Sequence, residues 1–209
     1  MDNLCNLVED LVEQVKGKLL VPVEASGRHV HLNQEAIDAL FGKGYSLTKA
    51  KELSQPGQYA CVERVDVVGP KGRIKNVAVL GPARPETQVE VSLTDARILG
   101  VKPPVRESGV ISGSDGITLE TAKGSITIDQ GLIVAMRHVH LSVEDAALYN
   151  VTDKEIVDVK VYGERPLIFQ DVLIRVSPKF RSFMHIDHDE ANACGYNKNT
   201  RGLIIKHHK

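Results

Sequence analysis

One pentapeptide occurs twice in this chain, as Arg28-His29-Val30-His31-Leu32 and again as Arg137-His138-Val139-His140-Leu141. A fold that uses the same five residues in two places is most simply built from two similar halves, so the chain reads as an internal duplication. In an extended strand residues i and i+2 project from one face, and each copy therefore aims two imidazoles at a single point. Two nitrogens about 2 Å from a divalent ion are half of a tetrahedral zinc site. The repetition argues against the plainer reading of two pairs of ordinary strand histidines.

At 209 residues the chain can bury one large core or two closely joined ones. Its net charge of -1 gives no general electrostatic case for nucleic acid or anionic membrane partners, so any anion-binding cations must be local. No apolar run approaches the roughly 18 residues that span a bilayer, and the N-terminus lacks a signal peptide, which predicts a cytoplasmic protein with no membrane partner. Cys5, Cys61 and Cys194 are scattered and odd in number, against both a disulfide framework and a thiolate-rich metal site. Aromatic residues are too few to make stacking platforms for bases.

Leu4, Leu7, Val8, Leu11, Val12 and Val15 fall on one helical stripe and predict an amphipathic helix over residues 1–17. From Lys18 onward the chain is mainly β. The strands expected are Leu19–Glu24, Tyr59–Val68, Arg73–Leu80, Val89–Ser92, Ser125–Ile128, Leu132–Met136, Ile156–Val161, Pro166–Val176, Phe183–Ile186 and Leu203–Lys206. Many short strands with glycine-rich turns suggest barrels or sandwiches. Gly69-Pro70-Lys71-Gly72 and Gly163-Glu164-Arg165-Pro166 read as hairpin turns at matching places in the two halves. Short helices follow each histidine pair, capped by Asn33 and Ser142, while residues 46–58 have no counterpart in the second half and read as an insertion serving as a lid or an oligomer contact.

Aligning the halves sets Val89-Glu90-Val91 against Met184-His185-Ile186, so one polar position holds Glu90 in one half and His185 in the other. Both are standard zinc ligands. Each half then offers three candidates, His29, His31 and Glu90 or His138, His140 and His185, and three ligands leave a fourth position open as in catalytic zinc. The same alignment places Arg84 opposite Lys179, six residues before the third candidate ligand. A planar guanidinium there could grip a phosphate or carboxylate through two hydrogen bonds. Arg28 and Arg137 are expected to position the strand-helix junctions rather than touch substrate.

Taken together, Ser26-Gly27-Arg28-His29-Val30-His31-Leu32, Gly81-Pro82-Ala83-Arg84, Thr87-Gln88-Val89-Glu90-Val91-Ser92, Met136-Arg137-His138-Val139-His140-Leu141 and Met184-His185-Ile186-Asp187 resemble the PduL-type phosphate propanoyltransferases. The resemblance runs over roughly residues 19–206. It implies two β-barrel domains capped by short helices, one built from residues 28–135 and the other from 18–27 with 136–206, and a dizinc site between them. It further implies interconversion of a short-chain acyl-CoA (propanoyl or acetyl) and inorganic phosphate with acyl phosphate and coenzyme A. The metal ligands would be the six candidates, Arg84 would hold phosphate, and Gln58 and Ser108 match positions less securely tied to coenzyme binding. A homo-oligomer is implied, and in the family a tethered N-terminal helix can direct the enzyme into a bacterial microcompartment; here Gly17 alone separates the helix from the first expected strand, which favours docking onto the fold or an oligomer interface.

Two other readings share the residues. A dizinc hydrolase of thioesters or phosphate esters would use the same ligands to activate water. A cupin-like module would use Glu35 and Glu144 in the local HxHx3E pattern, but those carboxylates sit in first helical turns, where the helix dipole accounts for them, and Glu90 and His185 would be left without a role. Nitrogen and oxygen donors also admit cobalt beside zinc.

Overall fold

The computed structural model describes residues 19–207. The amphipathic helix expected over residues 1–17 lies outside that range. The described chain is mainly β, with strands β1 (Val21–Ala25), β2 (His29–His31), β3 (Lys49–Glu52), β4 (Tyr59–Val68), β5 (Arg73–Gly81), β6 (Gln88–Glu90), β7 (Val105–Arg106), β8 (Asp115–Glu120), β9 (Ser125–Ala135), β10 (His138–Leu141), β11 (Ile156–Tyr162), β12 (Leu167–Val176), β13 (Phe183–Ile186) and β14 (Arg201–Ile205). Four short helices interrupt them: α1 (Gln34–Phe41), α2 (Leu93–Leu99), α3 (Val143–Leu148) and α4 (His188–Cys194). No helix among the described residues is long and apolar enough to cross a membrane.

The chain divides into two compact units, a central one of residues 26–136 with 187–189, and another of 19–25, 137–186 and 190–207. In the central unit six strands close a ring in the order β2-β5-β4-β8-β9-β6, with β3 added to the outside of β4 and β7 to β9. The other unit is a closed barrel, β1-β13-β10-β12-β11-β14. Closure removes the open edges that would otherwise pair with other chains.

The two rings have the same wiring. The first histidine strand, β2, runs parallel to β5 and antiparallel to β6, and the second, β10, runs parallel to β12 and antiparallel to β13. Likewise β6 is parallel to β9 as β13 is to β1, and the hairpins β4-β5 and β11-β12 occupy matching places. One connection differs. The strand equivalent to β9 is supplied to the second ring by β1, from the other end of the chain.

Alternation decides which side chains enter each core. On β4, Cys61, Val65 and Val67 point inward while Val62 and Arg64 face out; on β11, Val157, Val159 and Val161 are buried. Each fully buried Val or Leu contributes roughly 1.5–3 kcal/mol. Val30, Leu32, Val79, Val89 and Leu132 belong to the central core, and Val139, Leu141, Ile174, Met184 and Ile186 to the other. The valine between each pair of histidines is thus a core residue, and its burial turns both imidazoles to the opposite face of the strand.

Helices α1 and α3 follow the histidine strands as expected, with Asn33 accepting from the Ala36 amide and Ser142 from the Asp145 amide. Helices α2 and α4 were not read from the sequence. The Ser92-x-x-Asp95 capping box that begins α2 was the available signal. The two strands expected over 125–136 are one strand, β9, whose pairing with β8 shifts register between Ile128 and Leu132, where Gly131 takes a φ of 120° open to glycine. The insertion carries an edge strand of its own, β3, too polar to be legible as one.

Candidate active site

The two strands β2 and β6 face each other antiparallel with His29 opposite Glu90, so three residues of short, fully buried strands converge. The candidate donor atoms of His29, His31 and Glu90 all lie within 4.8 Å of one another, and so do those of His138, His140 and His185. Each triad lies wholly within one unit. Donors about 2 Å from one tetrahedral ion lie about 3.3 Å apart, so gathering each triad onto an ion takes a closure of at most about 1.5 Å.

The ring nitrogens are sorted by their partners. His29 Nδ1 lies 2.8 Å from the Gly27 carbonyl, which can only accept, so Nδ1 carries a proton and Nε2 is the nitrogen that faces Glu90 Oε2, 3.5 Å away. His31 Nδ1 and His140 Nδ1 are buried with no hydrogen-bond partner. These two orphans occupy the same place in the two copies of the pentapeptide, and a buried imidazole nitrogen without a donor is what a metal would satisfy. Protonation states agree. Burial, aided by the charges of His29 and Arg84, pushes His31 down to about 2, and burial with the charges of His138, His185 and Arg175 does the same to His140, so both are neutral. Burial works against the charge on Glu90, but His29 and His31 together with the Ser108 hydroxyl outweigh it and keep the carboxylate ionised. His29 moves up from its usual value because Glu90 overcomes the opposing effect of burial. Neutral His31 and His140 and an ionised Glu90 are in the forms that bind metal, and His29 would give up the proton that Glu90 favours, so the residues present fit a divalent ion.

Arg84 is half-buried and its charge reaches both His29 and His31, which places a cation beside the first triad; its backbone amide donates to the Leu32 carbonyl at 2.9 Å. Ser108 sits against Glu90, with its Oγ 2.8 Å from Glu90 Oε1. Gln58 is half-buried and enters the Gln55–Gln58 turn through its backbone amide at the start of β4. The junction arginines behave alike: Arg28 pairs through two nitrogens with Asp95, at 2.9 and 2.8 Å, and Arg137 pairs with Glu190 at 3.1 Å. Asp95 and Glu190 occupy aligned positions of α2 and α4.

Comparison with known proteins places this arrangement. Residues 22–197 match the family described as phosphate propanoyltransferase. A phosphate propanoyltransferase of Clostridioides difficile is 58% identical over 207 residues, covering 99% of each chain, and one of Enterococcus faecalis is 55% identical over 208 residues at the same coverage. The chain belongs to the phosphate propanoyltransferase family. A more distant member, from Thermotoga maritima, is still 50% identical over 206 residues and 98% of both chains.

In this phosphate propanoyltransferase family member, three side chains near the triads escaped the sequence reading. Gln88 precedes Glu90 by two residues on β6, hence on the same face, and its amide nitrogen is 2.6 Å from Glu90 Oε1. Arg175 stands opposite His140 in the ladder and its guanidinium lies 5.8 Å from the Phe180 ring, which itself is 4.2 Å from His140. Glu24 of β1 faces His185 Nδ1 at 3.4 Å. The alignment of halves pointed instead to Lys179 as the second cation, and Lys179 is exposed. Register within the ladder, with Arg175 where Leu80 stands in the other ring, was the missing signal.

Proposed function

We propose that the chain transfers a short acyl group, propanoyl or acetyl, between coenzyme A and phosphate, using two zinc ions, one at His29, His31 and Glu90 and the other at His138, His140 and His185. Family membership supports the phosphate propanoyltransferase reaction. The observation that carries the metal reading is the pair of orphaned Nδ1 atoms, on His31 and His140, at equivalent places in two three-ligand triads. Zinc held there would supply Lewis acidity toward developing oxyanion charge and a soft acceptor for a thiolate. Cobalt suits the same donors.

The chain's own residues account for the rest. Arg84 binds phosphate through its two-pronged guanidinium and holds one oxygen toward the thioester carbonyl. That oxygen forms the new bond to carbonyl carbon, the carbon-sulfur bond breaks, and the sulfur leaves with the electron pair to become the coenzyme A thiol on protonation. Water must be kept from the carbonyl for phosphate to compete, and the burial of His29, His31 and Glu90 serves that end. Gln58 and Ser108 border the coenzyme. Ser108 acts there through Glu90. We further assign the molecule to the cytoplasm or a microcompartment interior as a homo-oligomer.

The test is coenzyme A release from propanoyl-CoA and acetyl-CoA with and without phosphate, paired with metal analysis of the purified protein. The proposal requires release that depends on phosphate, yields acyl phosphate, and disappears on chelation with two equivalents of metal lost. Phosphate-independent release would instead establish the dizinc hydrolase.

A further inference from the structure

Glu90 is the one anionic member of the six candidate ligands, and its surroundings divide its two oxygens. The Oε1 atom receives the Gln88 amide at 2.6 Å and the Ser108 hydroxyl at 2.8 Å, while Oε2 faces His29. Gln88 is itself fixed. Its oxygen accepts from the Gly109 amide at 2.8 Å, so its NH2 must point the other way, at Glu90 and at Ser108 Oγ, 2.9 Å off. The side chain is 2% exposed, and every polar atom of it is engaged. The Gly109 amide can reach because its residue holds a φ of 97°, open to glycine and strained for other residues.

We infer that Gln88 is a positioning residue whose amide, relayed with Ser108 and braced by Gly109, saturates Glu90 Oε1 and restricts the carboxylate to one-oxygen ligation through Oε2. The inference rests on the metal reading above. A carboxylate free to rotate can close both oxygens on a metal and consume a coordination position. With Oε1 committed to two donors, the site keeps three ligand atoms and an open place for substrate. No equivalent amide is called for in the other triad, where the aligned ligand is His185 and the adjacent carboxylate is Glu24.

Cobalt binding decides it, because visible absorption reports coordination without turnover. In a His138→Ala/His140→Ala background, one equivalent of cobalt should bind at the remaining triad. Gln88→Met, close in shape but without the amide, should weaken that cobalt by about 10- to 100-fold in chelator competition and shift its absorption. Ser108→Ala, which removes one donor and leaves Gln88 in place, should move both readouts the same way by less, and it carries the test if Gln88→Met folds poorly. Gln88→Glu should lower both the melting temperature and the affinity, since a second buried carboxylate would then crowd Oε1. Unchanged cobalt affinity and spectra in both Gln88→Met and Ser108→Ala would overturn the inference alone. Failure of the background protein to bind cobalt would overturn the metal reading and the inference with it.

Discussion

At the scale of single residues, the two triads share a plan and differ in charge. One sets an ionised carboxylate beside two histidines and an arginine; the other sets three histidines beside Arg175, with Glu24 behind His185. The carboxylate is therefore a direct ligand candidate in one and a partner of the imidazole in the other, which would give metals bound there unlike affinities for hard phosphate oxygen and soft sulfur. Arg84 is the cation on the carboxylate side. Arg84→Ala is expected to lower the kcat/KM for phosphate by about 10²- to 10³-fold, the usual loss for a preorganised donor at a developing charge, while metal content stays at two per chain. Steady-state kinetics with phosphate as the varied substrate, together with metal analysis, check both halves of that statement.

Among the elements, the junctions and the insertion carry the largest consequences. Arg28 and Arg137 are identical by repeat, but their partners are not: Asp95 is 1% exposed at its side chain and Glu190 is 21% exposed. Removing a partner from a buried charge costs far more than removing it from a solvated one. Arg28→Met should therefore destabilise by about 3 kcal/mol and Arg137→Met by less than about 1 kcal/mol, as measured by urea unfolding of each variant. The insertion is held by Glu63, which accepts from the Tyr45 hydroxyl at 2.8 Å and from the Thr48 amide at 3.0 and 3.1 Å. Burial pushes the Glu63 carboxyl up, but these donors outweigh it and leave it below the ordinary carboxylate value. The unfolded chain then binds the proton more readily, so this contribution is present above an unfolded pKa of about 4.3 and is lost as pH falls through the lower folded value. Glu63→Gln should cost about 2 kcal/mol at pH 7, with the gap to the parent narrowing below about pH 4, in melts recorded across that range.

For the whole molecule, the route of the chain through the two rings sets what can fold alone. All six strands of the central ring lie between residues 29 and 135, whereas the other ring needs β1, placed between β13 and β14. A fragment of residues 26–136 should give a cooperative thermal transition by itself; a fragment of 137–207 should not, because two strand edges stay open, until a peptide of residues 19–25 is added. Circular dichroism melts of the separate pieces test this. Phe183–Ile186 and Tyr59–Val68 were readable as strands because β-branched and apolar residues alternate there over a clear period of two. The polar β3 and the two-residue β7 were not, since pairing rather than side-chain pattern makes them strands, and β9 was readable only as two separate strands. The duplicated pentapeptide, the six candidate ligands and Arg84 are local in character, each carried by a residue type at a fixed spacing, and so they could be read directly from the chain. The division of Glu90's oxygens by Gln88 and Ser108, the placing of Arg175 opposite His140, and the borrowing of β1 by the second ring depend on which strands lie side by side and in what register. Those are contacts between distant residues, and they exist only once the barrels close.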